Sequence, residues 1–146
     1  MPNFQNGNIS GKPGHRQDHG PEPFITNIAW DAKQNRRFRT ALWTGRHLQM
    51  TLMSIPVGSD IGFEMHRDTD QFIRVEQGQG AIVIEPWKSH ANLRRSIVKD
   101  SGIFIPAGTW HNIINTGKTP LKLSSVYAPP HHPWGTVHMT KADAEE

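Results

Sequence analysis

Residues 58–78 read GSDIGFEMHRDTDQFIRVEQG, and residues 106–115 read PAGTWHNIIN. Glycine and proline punctuate both stretches, and short β-prone runs lie between the marks. Side chains two apart on a strand share a face. Glu64 and His66 therefore point the same way, as do His111, Ile113 and Asn115. Gln71, Ile73 and Val75 share one face, and Phe72, Arg74 and Glu76 take the other. With Glu64, His66, Gln71 and His111 all turned inward, four metal-competent or proton-handling groups converge inside a closed sheet.

The rest of the chain has the same texture. Phe24 to Trp30 reads as a short strand and Asp31 to Arg37 as a loop or single helical turn. Phe38 to Trp43 and His47 to Ile55 read as strands separated by a turn at Thr44 and Gly45. Ala81 to Glu85, Ser96 to Lys99, Ile103 to Ile105, Trp110 to Asn115 and Leu121 to Tyr127 complete the set with Gln71 to Val75. Turn signals recur about every 8–12 residues, the pattern of an all-β sandwich or barrel. The one helix candidate is Thr140 to Glu145. Residues 1–22 are rich in Gly, Pro, Asn and Gln and show no apolar period, so they read as a flexible arm with His15 and His19 exposed to solvent. The barrel spans 23–138 and a tail spans 139–146.

A chain of 146 residues is one domain on a prior of about 150 residues and is long enough to bury its own core. It has no cysteine, which excludes a disulfide scaffold, a cysteine-based zinc finger and a thiol enzyme. No apolar run approaches the roughly 20 residues of a membrane helix. No basic segment followed by an apolar one opens the chain, so no secretory signal is expected and the expected compartment is the cytoplasm. The net charge of +3 is spread out, its densest clusters being Arg36-Arg37-Arg39 and Arg94-Arg95. A nucleic-acid surface wants a basic stripe with stacking aromatics, so neither nucleic acid nor membrane is an expected partner. Nine histidines are many for this length, and histidine is both the commonest metal ligand and the usual acid/base near neutral pH.

The spacings resemble the two motifs of the cupin family. Gly58, five residues, Glu64-Met65-His66, four residues, Gln71, six residues, Gly78 is similar to the first. Pro106-Ala107-Gly108, two residues, His111, three residues, Asn115 is similar to the second. The opening glycine of the second motif would fall at Asp100, a departure. The resemblance covers about residues 47–127 and implies an all-β jelly-roll β-barrel, a double-stranded β-helix. It also implies a metal site. The family's usual ligands are three His and one Glu, and the matching positions here hold Glu64, His66, Gln71 and His111. A carboxylate and an amide replace a histidine and a glutamate, and both keep an oxygen donor. Such a set suits one divalent transition metal: zinc, iron, manganese or nickel.

Phosphomannose isomerases of the superfamily draw on the same ligand inventory in another order. A small cupin that helps convert unsaturated uronates also carries Gln at the Glu position. The resemblance therefore implies a metal-dependent isomerase or lyase acting on a small sugar-like or hydroxy-carbonyl substrate. An iron-dependent dioxygenase and a non-catalytic small-molecule-binding cupin are the alternatives. A homodimer is the assembly expected of cupins this size. Glu64 is either a ligand or the base. Tyr127, the sole tyrosine, is either a proton donor at the pocket or a core ring. Gln49, Met53 and Ile73 are candidate pocket residues. His131, His132 and His138 lie in a proline-stiffened segment that either crosses the barrel mouth or packs elsewhere. Adjacent histidines on an extended chain point apart, so a second metal site there is not expected. Trp110 and Phe63 should face outward. Arg39 and Arg74 are the cations able to meet a substrate anion, and Arg74 should point away from the Gln71 face.

Overall fold

A computed structural model describes residues 18–85 and 92–145. Among the described residues, nine strands form two antiparallel sheets. They are β1 (Arg39–Thr44), β2 (Gln49–Ile55), β3 (Asp70–Gln77), β4 (Gln79–Ile84), β5 (Leu93–Val98), β6 (Gly102–Ile105), β7 (His111–Asn115), β8 (Leu121–Ala128) and β9 (Val137–His138). One sheet has the order β6-β3-β8-β2-β1-β9 and the other β5-β4-β7. One apolar cluster joins them, taking Ile55, Ile73, Val75, Leu121 and Leu123 from the large sheet and Ile82, Ile97 and Ile113 from the small one. Each of these side chains contributes about 1.5–3 kcal/mol by leaving water.

Register explains where this core stops. Ile55 pairs with Leu121 and Met53 with Leu123, but the next inward pairs are Thr51 with Ser125 and Gln49 with Tyr127. On the other side of β8, Val75 faces Leu123, Ile73 faces Ser125 and Gln71 faces Tyr127. β2 and β8 thus change from apolar to polar at Thr51 and Ser125, and β3 follows one inward pair later at Gln71. The barrel has an apolar end and a polar end, and the chemistry sits at the polar one.

Two local expectations are corrected. Phe24 to Trp30 forms no strand. Instead α1 (Ile28–Gln34) begins where the Asn27 side chain accepts a hydrogen bond from the Trp30 N–H. Asp31 stands in the first turn and Lys33 in the last, as the helix dipole favours. The helix packs on β8, β2 and β3 and buries Ala32, so both faces of β2 are covered. His19 is half-buried, with its ring stacked on Phe24 at 4.0 Å. Its neighbour Asp18 accepts from Thr44 Oγ1 at 2.6 Å and from Gly135 N at 2.9 Å. Residues 18–22 of the arm therefore lie against the barrel, while His15 falls outside the described residues. The helix expected near the C-terminus is present as α2 (Lys141–Ala144), closed by a capping box between Thr140 and Asp143.

Candidate metal centre

Glu64 lies outside the named strands, yet it pairs with the first residue of β7. Glu64 N donates to His111 O at 2.9 Å and His111 N donates to Glu64 O at 3.0 Å. Residues that exchange both backbone bonds stand directly opposite each other, so their side chains leave on one face. His66, two residues on, joins them. The Glu64, His66 and His111 ligand atoms all lie within 4.8 Å of one another, with His66 Nε2 3.0 Å from Glu64 Oε1.

Hydrogen bonding leaves lone pairs aimed inward. His111 Nδ1 sits 2.9 Å from Thr109 O. A carbonyl only accepts, so Nδ1 carries the hydrogen and Nε2 keeps a free lone pair. That Nε2 is buried with no partner among the described residues. The Gln71 amide donates through Nε2 to Ser125 Oγ at 2.8 Å, and its Oε1 is buried and unpaired. A buried acceptor without a donor costs about 1–3 kcal/mol. Glu64 and His66, facing each other at 3.0 Å, together with the unpaired His111 nitrogen and Gln71 oxygen make a donor set that fits a first-row divalent cation.

Electrostatics favour ligation. Burial works to raise the Glu64 carboxyl, but the His66 hydrogen bond and the Arg39 charge outweigh it and hold the group below its ordinary range. Glu64 is therefore ionised at neutral pH. Burial pushes the His111 imidazole down, keeping it neutral as a metal ligand must be. Burial also raises the Tyr127 phenol, which stays protonated. Its ring is fully buried, 5.5 Å from His66 and edge-on to it.

The proline-rich segment crosses the mouth. The His131 ring lies 4.0 Å from His66 and 5.9 Å from Tyr127. His131 and His132 do not point apart. The chain bends at His132, and the two ring centroids are 4.8 Å apart. Burial drives His132 down to about 2 and also lowers His131 and His138. Gln49 is occupied in holding this segment. Its Oε1 accepts from His131 N at 3.2 Å and His132 N at 2.9 Å, and its Nε2 donates to His132 O at 2.8 Å. Gln49 is thus a clamp rather than a group free to bind substrate. Ile73 belongs to the apolar cluster, one inward step from Gln71 toward the apolar end. Met53 belongs to it too, with its sulfur 3.8 Å from Arg39 Nη2. Trp110 and Phe63 are exposed, as alternation with His111 and Glu64 requires.

Arg39 stands in the site, with Nη2 3.5 Å from Glu64 Oε2 and Nη1 3.2 Å from His138 Nδ1. Strand alternation alone left its direction open. The deciding fact is its pairing with inward Met53 across β1 and β2, a register the sequence does not spell out. Arg74 faces outward, bonded to Glu76 and Asp100.

A family model described as a cupin domain matches residues 51–127. Protein YrkC of Bacillus subtilis (strain 168) is 60% identical over 128 residues, which are 88% of this chain and 69% of YrkC. The crystal structure of BH2720 from Bacillus halodurans superposes with a TM-score of 0.84 at 57% identity, covering 88% of this chain and 97% of that one. KdgF from Halomonas sp. superposes at 0.56 with 17% identity, covering 64% of this chain and 78% of that one, a likeness of fold.

Proposed function

The chain belongs to the cupin family, and from that footing we propose that it is a metal-dependent isomerase or lyase acting on a small sugar-like or hydroxy-carbonyl substrate. The observation that carries the reading is the meeting of Glu64, His66 and His111 at the polar end of the barrel, where Gln71 pairs across the ladder with Tyr127 and the Tyr127 ring lies 5.5 Å from His66. A divalent zinc, iron, manganese or nickel ion held there would polarise a substrate carbonyl and ease loss of a neighbouring proton.

Glu64 serves as ligand rather than base, because His66 and Arg39 hold it ionised and weakly basic. His131 is the proton acceptor: it is neutral, on the rim, and its ring lies 4.0 Å from His66. Tyr127 keeps its proton and orients the substrate by donating a hydrogen bond to it. The segment clamped by Gln49 covers the mouth and excludes water. Exposed Phe63, Phe104 and Trp110 supply apolar area for a homodimer. A second reading, an iron-dependent dioxygenase, is favoured by the two-imidazole, one-carboxylate donor set.

Elemental analysis of the purified protein beside His66→Ala and His111→Ala tests the centre. Stoichiometric metal that is lost in both variants supports it. Iron with oxygen uptake favours the second reading, and zinc, manganese or nickel the first. Protein that stays metal-free after challenge with each ion overturns both, and leaves a polar cluster that binds a small molecule.

A further inference from the structure

We propose that Arg39 is the anion anchor of this centre and that its ligand is a small carboxylate bearing a hydroxyl or carbonyl on the adjacent carbon. The inference rests on the metal-centre reading above and adds the charge and shape of the ligand to it.

Arg39 is only 4% exposed, and a buried guanidinium needs partners for its charge and its five N–H donors. It is poorly supplied. Among the described residues Nε has no partner. Nη2 meets the Met53 sulfur at 3.8 Å and a Glu64 oxygen at 3.5 Å, the latter beyond a good hydrogen bond. Nη1 meets one ring nitrogen of His138 at 3.2 Å. Among the described residues, Glu64 is the one carboxylate paired with Arg39.

Charge decides what completes the site. Arg39 and Glu64 cancel, and the histidines around them bring no negative charge. A divalent cation on Glu64, His66 and His111 therefore leaves an excess of positive charge in a poorly hydrated space. An anionic ligand removes that excess and a neutral one does not.

Geometry narrows the anion. A guanidinium presents a planar fork that matches a carboxylate with two parallel hydrogen bonds. Glu64 itself measures the gap: one oxygen lies 3.0 Å from His66 Nε2 and the other 3.5 Å from Arg39 Nη2. The donor cluster and the guanidinium are thus one carboxylate apart. A molecule that reaches both must carry its anionic group next to its metal-seeking oxygen. That describes a 2-hydroxy or 2-oxo acid.

The test is calorimetric titration of zinc-loaded protein with L-lactate and with lactamide, its uncharged amide, after the zinc content has been measured. The expected result is that native protein binds lactate about tenfold more tightly than lactamide or better. Arg39→Gln should lose that preference and keep its zinc. Equal affinities in native protein, or a lactate preference that survives in Arg39→Gln, overturns the proposal. The native comparison stands even where the variant fails to fold. A native chain that stays metal-free after challenge with zinc, iron, manganese and nickel overturns the metal-centre reading and this inference with it. A chain that takes another of these ions in place of zinc is titrated loaded with that ion. A zinc-loaded chain with no preference overturns this inference alone.

Discussion

Gln71 Nε2 donates to Ser125 Oγ at 2.8 Å across the β3–β8 ladder, and this one bond turns the amide oxygen, rather than the amide nitrogen, into the barrel. An amide has two similar ends, and only the oxygen can ligate a cation. Ser125 therefore orients a ligand that it does not itself supply.

Ser125→Ala should lower metal affinity about tenfold, the scale of losing an outer partner to a ligand, while costing the fold only about 1 kcal/mol. Competition against a chelator measures the first quantity and urea unfolding the second. Unchanged affinity in both Ser125→Ala and Gln71→Ala would remove Gln71 from the ligand set.

Gln49 makes the complementary case. Its amide holds the backbone of His131 and His132 through three hydrogen bonds and reaches Thr44 Oγ1 at 3.0 Å through a fourth. Gln49→Ala should cost about 2–4 kcal/mol, because buried backbone groups lose their partner. It should also speed amide exchange at His131 and His132 more than at Ile73 or Val75. Uniform acceleration across the barrel would mean that Gln49 serves the fold as a whole and not this segment.

These two residues show what was legible in the sequence. Gln71 could be placed because its distance from Glu64 and His66 is fixed along the chain and alternation sets its face. Gln49 shares a face of β2 with Thr51 and Met53, but the pattern does not say whether that face is inward. Its task is not legible either, since the His131 and His132 groups it clamps lie more than eighty residues away. Arg39 is the same kind of case, since its inward direction follows from pairing with Met53. The helix at Ile28–Gln34 was missed for a local reason. Phe24, Ile25 and Ile28 look β-prone in a row, and the cap at Asn27 that breaks the row is a single side chain. The bend at His132 lies where Gln49 grips the backbone, a contact that the segment itself does not spell out.

His132 gives a pH prediction with a definite sign. Burial holds its folded form neutral down to about 2, against 6.5 when free. Between those values the unfolded chain takes up a proton that the folded one refuses, so stability falls as pH drops below 6.5. The slope is at most about 1.4 kcal/mol per pH unit for one group. Urea unfolding at pH 7.5 and pH 5 should show native protein losing up to about 2 kcal/mol more than His132→Gln. Equal losses would mean that His132 is protonated in the folded barrel. Protonation of the metal ligands affects both proteins and cancels in the difference.

Asp60 loses stability in the same direction, but because its folded form is held charged rather than neutral. Lys141 Nζ donates to Asp60 Oδ1 at 2.5 Å and Asn112 Nδ2 to Oδ2 at 2.9 Å. The Lys141 hydrogen bond and then the Asn112 one hold the carboxyl below its usual 3.8. A group lowered in the folded state contributes stability above its unfolded pKa and loses it as pH falls through the folded one. The pair joins the loop after β2 to the first residue of α2, so its strength decides whether that short helix stays docked. At pH 6, Asp60→Asn should be less stable than native protein by up to about 1 kcal/mol, the scale of a partly exposed ion pair. The gap should hold down to about pH 4 and close below it, as native Asp60 takes up its proton. Added salt at pH 6 should narrow it in the same way, because both side chains are about one-third exposed. Melting curves of the two proteins across pH and salt supply both readings. A gap insensitive to either would mean that Asp60 holds α2 by hydrogen bonding alone, which an asparagine could partly replace.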